Sequence, residues 1–206
     1  MNAHEPWLKW AMEIQSIAQC GLAYCHDVYD RERYERLRQL SAEMISLQSG
    51  ISTECVQTLF CAESGYQTPK LDTRAAIIES GAILLVQEKS GLWSLPGGWV
   101  DVLETIASNT AKEAREEAGL EVTPVRLVAL QDRNRHNRPV YAQTIVKVFV
   151  LCRRLGGQFA PNSETIASGW FTPDNLPPLA QEKTTREQIE LCFAAEADPN
   201  WVVPFD

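Results

Sequence analysis

The sequence predicts an α/β sandwich with a mixed sheet, preceded by a small helical domain, and three observations carry that reading. Helical periodicity fills the first fifty residues, short apolar runs of strand length begin near Thr73, and one amphipathic helix interrupts those runs. With 206 residues, 45% of them apolar, the chain can bury a core without a disulfide or metal staple. Residues 1–64 read as a helical extension, 65–71 as a linker and 72–206 as the sheet-bearing domain.

Trp7, Trp10, Ala11, Ile14, Ile17, Ala18 and Leu22 recur at three- and four-residue steps, which predicts a first helix. His26-Asp27 breaks it. A second helix carries Tyr34, Leu37, Leu40, Met44 and Leu47, with a mixed-charge outer face from Arg31 to Arg38. A short apolar segment, Val56 to Phe60, leads to the polar linker Ser64–Pro69. Ala75–Ile78 and Ala82–Val86, split by Glu79-Ser80-Gly81, predict a β-hairpin. The loop Leu95-Pro96-Gly97-Gly98 precedes a helix over 105–118 that Gly119 terminates. Strands are expected at 125–130, 144–152 and 169–171, and a last helix over 183–195.

The formal net charge of −8 and the lack of a visible basic cluster argue against a nucleic-acid partner. No apolar stretch is long enough to span a membrane, and the first twenty residues have no continuous apolar core of a secretory signal. Six cysteines without CxxC spacing argue against a zinc site and suit a reducing cytoplasm. With only His4, His26 and His136, and no nucleophile elbow, covalent catalysis has little support. An acidic protein that handles an anionic substrate needs local cations. That directs attention to carboxylates able to hold one.

Glu113, Glu116 and Glu117 stand at i, i+3 and i+4 of the central helix and share one face. Like charges at that spacing repel, and a hard divalent ion such as Mg²⁺ or Mn²⁺ between the oxygens relieves the repulsion. Gly97 and Gly98, just before the helix, allow backbone to approach a phosphate. By itself Glu-Ala-Arg-Glu-Glu also reads as a solvated acidic face.

Gly98, Glu104, Glu113, Glu116, Glu117 and Gly119, in this register, resemble the Nudix box that defines the Nudix hydrolases. The resemblance covers about Asp72 to Leu179 and implies metal-dependent cleavage of a phosphoanhydride. It assigns metal binding to Glu113, Glu116 and Glu117, with Glu116 or Glu117 also catalytic. Lys112 stands where the family usually has an arginine that braces the loop glutamate, here Glu104. Lysine keeps the charge and loses the fork. Glu164 occupies a place similar to the family's late-loop acidic residue, a metal ligand or general base.

The helical extension together with TPKLDTRAAI and QDRNRHN resembles a Nudix subgroup acting on ADP-ribose-like or CDP-alcohol substrates. That likeness implies a homodimer and a small nucleotide substrate, with CDP-choline ahead of ADP-ribose and both ahead of triphosphates. Arg74, Asp132, Arg133 and His136 are polar residues at strand ends that could touch phosphate or leaving group. Each also has a structural reading: Arg74 pairing with a carboxylate, His136 solvated. Trp93 and Trp99 flank the glycine loop, as stacking platforms for a base or as core filling. A triphosphate housecleaning hydrolase and a non-catalytic ligand sensor remain the alternatives.

Overall fold

A computed structural model describes residues 6–206, so His4 lies outside the described residues. These fall into two compact units, one running to Pro69 and including Tyr141–Gln143, the other spanning Lys70–Val140 and Thr144–Asp206.

The first unit holds α1 (Pro6–Tyr24), α2 (Val28–Ser49) and α3 (Thr53–Phe60). The Asp27 carboxylate accepts from the N–H groups of Tyr29 and Asp30, so the polar break is the N-cap of α2. Gly50, at φ 72°, closes that helix in the left-handed conformation. Small residues set the packing: Ala11 and Ala42 are fully buried, and Ser41 Oγ donates to the Ala11 carbonyl at 2.7 Å. The apolar stripe expected on α1 is therefore rotated. Leu8, Ala11, Gln15, Ala18 and Gln19 face inward, while Trp10 (58% exposed) and Ile17 (51%) face outward. Burial of a polar residue is tolerated at Gln19 because its Nε2 donates to the Gly65 carbonyl.

The second unit is built on a six-stranded mixed sheet. Its strands are β1 (Lys70–Glu79), β2 (Ala82–Glu88), β3 (Trp93–Ser94), β4 (Leu120–Asp132), β5 (Ile145–Gly157) and β6 (Thr165–Phe171). Their order is β3-β2-β1-β5-β4, with β6 paired to β2; β1 and β5 run parallel and the other pairs antiparallel. Ser80 and Gly81 both take positive φ, the twist a two-residue hairpin needs. The strands extend beyond their apolar runs, because β1 starts at Lys70 and β4 at Leu120.

Alternation along the strands feeds two cores. Ala75, Ile77, Leu84, Val86, Val148 and Val150 pack with Ala114 and Ala118 of α4 (Ile106–Ala118). Ala76, Ile83, Leu85 and Phe149 pack with Ile189, Cys192 and Ala195 of α6 (Arg186–Ala197). A one-turn helix, α5 (Arg133–His136), follows β4. The result is the expected α/β/α sandwich. All six cysteines are free; Cys61, Cys152 and Cys192 are buried and Cys55 is exposed. Among the described residues no helix is long and apolar enough to cross a membrane.

Candidate active site

The glycine loop lies against β1 as an irregular extra strand. Ala75 N–H donates to the Pro96 carbonyl (2.8 Å), Thr73 N–H to Gly98 (2.9 Å) and Val100 N–H to Leu71 (3.0 Å). At Gly97, φ is 149° and a Cβ would come within 1.9 Å of the Thr73 carbonyl oxygen, so only glycine fits. Its N–H donates to Glu117 Oε2 at 2.8 Å. A Cβ on Gly98 would stand 3.2 Å from Glu113 Oε2, so this carboxylate rests on bare backbone. The sequence reading missed Asn109, which is fully buried and ties helix to sheet by donating from Nδ2 to Thr73 Oγ1 at 2.8 Å.

The helix carboxylates are held out of water and against one another. Burial, and then the neighbouring Glu117 charge, push the Glu113 carboxyl up to about 7. Burial also raises Glu117, which the Gly97 N–H and the Arg74 charge partly oppose. Glu116 is exposed on the same helix. The last turn of α4 is tied down by a loop: Asn162 Nδ2 donates to the Glu116 carbonyl (2.8 Å) and Thr165 Oγ1 to the Glu117 carbonyl (2.7 Å). That brings Glu164 near enough for its charge to raise Glu117 further.

Lys112 takes other partners than the resemblance implied. Its Nζ donates to Asp101 Oδ2 at 2.5 Å and lies 3.9 Å from Glu116, and it forms no ion pair with Glu104. Glu104 is partly buried, with its N–H donating to the Asp101 carbonyl at 2.9 Å.

Next to the carboxylates lies a group of cations that no stretch of sequence displays. Arg74 is buried and grips Asp72 with two bonds of 2.7 and 2.8 Å, while a third reaches the Leu95 carbonyl. Burial opposes its charge; Asp72, with the charges of Glu117 and Glu113, more than offsets that and keeps Arg74 charged. Lys147, 1% exposed, lies 3.9 Å from Asp72 and donates to the Lys183 carbonyl. Lys183 itself pairs with Glu88 at 2.7 Å. Burial, and then the charges of Arg74, Arg133 and Lys183 against that of Asp72, bring the Lys147 ammonium down to about 7. The expectation that the chain lacks a basic cluster is thus corrected: its members are scattered in sequence and gathered by strand register.

Arg133 is also buried, donating to Asn134 Oδ1 and to the Pro139 carbonyl. His136 turns to Asp206, with its Nε2 2.9 Å from Asp206 Oδ2. Asp132 accepts from the Asn134 N–H and so caps α5. Trp93 packs edge-on against Phe171 at 4.9 Å, a core contact, and Trp99 is half exposed.

Among the described residues no three His, Cys, Asp or Glu side chains are gathered tightly enough to hold an ion as they stand. The chemistry of the donors nevertheless fits a hard divalent cation. Glu113 and Glu117 are desolvated, mutually repelling oxygen donors on one helix face, and Glu117 has one oxygen committed to Gly97.

Residues 5–60 match the family described as the UDP-X-like N-terminal oligomerisation domain, and residues 69–192 match the NUDIX domain. The Bacillus subtilis protein YjhB, provisionally named an ADP-ribose pyrophosphatase, is 41% identical over 201 residues, 97% of each chain. An ADP-ribose pyrophosphatase of known structure from Streptococcus suis is 55% identical with a TM-score of 0.63, covering 68% of this chain and 100% of that one. The structure of a UDP-X diphosphatase is 34% identical with a TM-score of 0.64, covering 98% of both chains.

Proposed function

This chain belongs to the NUDIX family of hydrolases, and from that premise we propose that it cleaves the phosphoanhydride of nucleoside diphosphate derivatives. The products are a nucleoside monophosphate and a phosphorylated sugar or alcohol. One observation carries the reading: two desolvated carboxylates, Glu113 and Glu117, rest against the bare backbone of Gly97 and Gly98. Glu113, Glu116 and Glu117 would hold the cofactor, Mg²⁺ or Mn²⁺. When bound, such an ion neutralises phosphate charge and lowers the pKa of a coordinated water. The bare backbone of Gly98 beside Glu113 lets a phosphate approach, and Arg74 and Lys183, with Lys147 when protonated, offset its charge. Glu164, or a helix carboxylate, accepts the proton of the attacking water. Lys112 positions α4 through Asp101.

The names of the relatives move ADP-ribose ahead of CDP-choline as the first substrate to test. The buried cations also remove the charge argument against triphosphates, so the ranking over dCTP rests on likeness to those relatives. Comparing kcat/KM for ADP-ribose, CDP-choline and dCTP with each metal, products resolved by chromatography, tests the assignment. Turnover in excess EDTA, or dCTP best by about tenfold or more, would refute it.

The first unit supports a homodimer. Trp10, Ile17 and Tyr24 recur every seven residues on α1 and are 58%, 51% and 65% exposed, an outward stripe of the kind a second copy covers. Trp10→Asp with Ile17→Asp is expected to halve the mass in sedimentation. The unpaired cysteines suit a cytoplasmic location.

A further inference from the structure

Gln131 at the end of β4, Asn137 after α5 and Gln188 on α6 form a chain of buried side-chain amides. Backbone groups fix the orientation of every member. The Thr185 N–H can only donate, and it donates to Gln188 Oε1 at 3.0 Å. The Gln181 carbonyl can only accept, and it receives Asn137 Nδ2 at 2.8 Å. Gln188 Nε2 is then the donor to both neighbours, at 2.9 Å to Asn137 Oδ1 and 2.9 Å to Gln131 Oε1. Gln131 must therefore turn its oxygen inward. Its Nε2 carries two hydrogens, has no acceptor among the described residues and is not sealed from solvent.

Gln131, only 7% exposed, lines a groove of about 570 Å³ whose wall includes His136, Thr185, Gln188, Leu191 and Ala194. That volume suits a ring-sized ligand, and Leu191 and Ala194 supply an apolar wall. A donor pair fixed at the rim of a small groove and open to solvent is met by water, which a ligand acceptor at the same place can displace. The groove also has a fixed relation to the cations. Gln131 is paired in register with Lys147, and Lys147 with Asp72, so Gln131 lies two strand spacings, about 10 Å, from the Arg74–Asp72 pair.

We propose that this groove receives the nucleobase of the substrate, with Gln131 Nε2 donating to an acceptor atom on the base edge. The assignment rests on the nucleotide reading above and extends it. The base lies over the α6 wall, with its phosphates directed toward the glycine loop that lines the same end of β1. The sequence pointed to one wall only, through His136 and the QDRNRHN segment that holds Gln131 and Arg135; the opposite wall, with Glu187, Glu190 and Leu191, comes from α6.

Gln131→Glu is the sharp test, since it keeps the oxygen that Gln188 needs, replaces the groove-facing N–H₂ by a second oxygen, and adds one negative charge that all three anionic probes meet alike. Calorimetry at pH 8 with UMP, AMP and ribose 5-phosphate reads binding without catalysis. The wild type is expected to bind the better nucleotide at least about tenfold tighter than ribose 5-phosphate. In Gln131→Glu that advantage, taken as the ratio to ribose 5-phosphate in the same variant so that the added charge cancels, falls at least about fivefold. Leu191→Trp, which fills the groove from its other wall and leaves the amides alone, gives the same loss. An unchanged base advantage in both variants, or a wild type that binds ribose 5-phosphate as tightly as the nucleotides, overturns the proposal. Base-dependent binding without turnover of any nucleoside diphosphate derivative refutes the hydrolase reading and leaves the groove standing.

Discussion

On α4, three carboxylates fall on one face within five residues of chain, whereas Arg74, Lys147 and Lys183 come from β1, β5 and the segment before α6. The first group is aligned by helix geometry, with Glu117 also held by the Gly97 N–H and Glu116 still in water. In the second, Arg74 and Lys147 are locked by backbone carbonyls and by a buried Asp72, while the partly exposed Lys183 pairs with Glu88. Carboxylates that repel one another store a cost that a ligand relieves, so losing one harms function more than folding. Buried cations behave less uniformly: the outcome depends on what each leaves behind.

The largest effect belongs to the carboxylate side. Glu117→Gln is expected to lower kcat by about a hundredfold or more, as loss of a metal-binding carboxylate does. Its melting temperature should hold or rise, because a like charge disappears and the amide oxygen still accepts from Gly97. Wild-type turnover, or loss of fold without loss of specific activity, would erase the contrast drawn above.

On the cation side, Arg74→Met strands the buried Asp72 carboxylate and is expected to destabilise the fold by about 3 kcal/mol. Adding Asp72→Leu should recover most of that loss in a urea titration. If the double variant were no more stable than the single one, Asp72 would not be the reason Arg74 is buried.

Lys147→Met should act in the opposite direction, and with a pH signature. The folded ammonium is brought down to about 7 from an ordinary 10.5, so between those values the unfolded chain binds the proton that the native chain has lost. Native stability from this residue is therefore fullest above pH 10.5 and is lost as pH falls through about 7. Methionine has no such penalty. Its gain in melting temperature is expected to be greatest at pH 6, a few degrees, and to shrink by pH 9. A gain independent of pH would mean that Lys147 is not a strained cation.

These contrasts explain what the sequence revealed and what it hid. The box helix was legible because helical spacing decides which of its residues share a face, and the caps Thr105 and Gly119 stand where such residues start and stop a helix. The hairpin and the sandwich followed from alternation. Lys147 was hidden because Ile-Val-Lys-Val-Phe-Val reads as an apolar strand, and only pairing with β1 brings it to Asp72. On α1 the apolar count misled, since Ala11 and Ala18 allow close approach and Trp10 does not. Asn162 and Thr165 did leave a signal, an Asn followed three residues later by Thr, the pattern of a local side-chain turn.

Lys112 gives the smallest expected effect and the finest test of the comparison. If the box worked through a rigid brace onto Glu104, the change from arginine to lysine would carry a real cost, and restoring arginine would raise activity. The structure points Lys112 elsewhere: to Asp101, whose hydrogen bond holds the ammonium above its usual range, with Glu116 and Glu113 reinforcing it. An arginine fork can reach Asp101 and Glu116 together, so Lys112→Arg should leave kcat/KM within about twofold. Lys112→Glu sets a like charge beside Asp101, Glu113 and Glu116, and should weaken metal binding several-fold at constant ionic strength. Salt at 0.5 M should shrink that deficit, since partly exposed charges are screened. Should Lys112→Glu cost more turnover than Glu117→Gln, the box would depend on its exposed edge, and the weight placed here on the desolvated pair Glu113 and Glu117 would be misplaced.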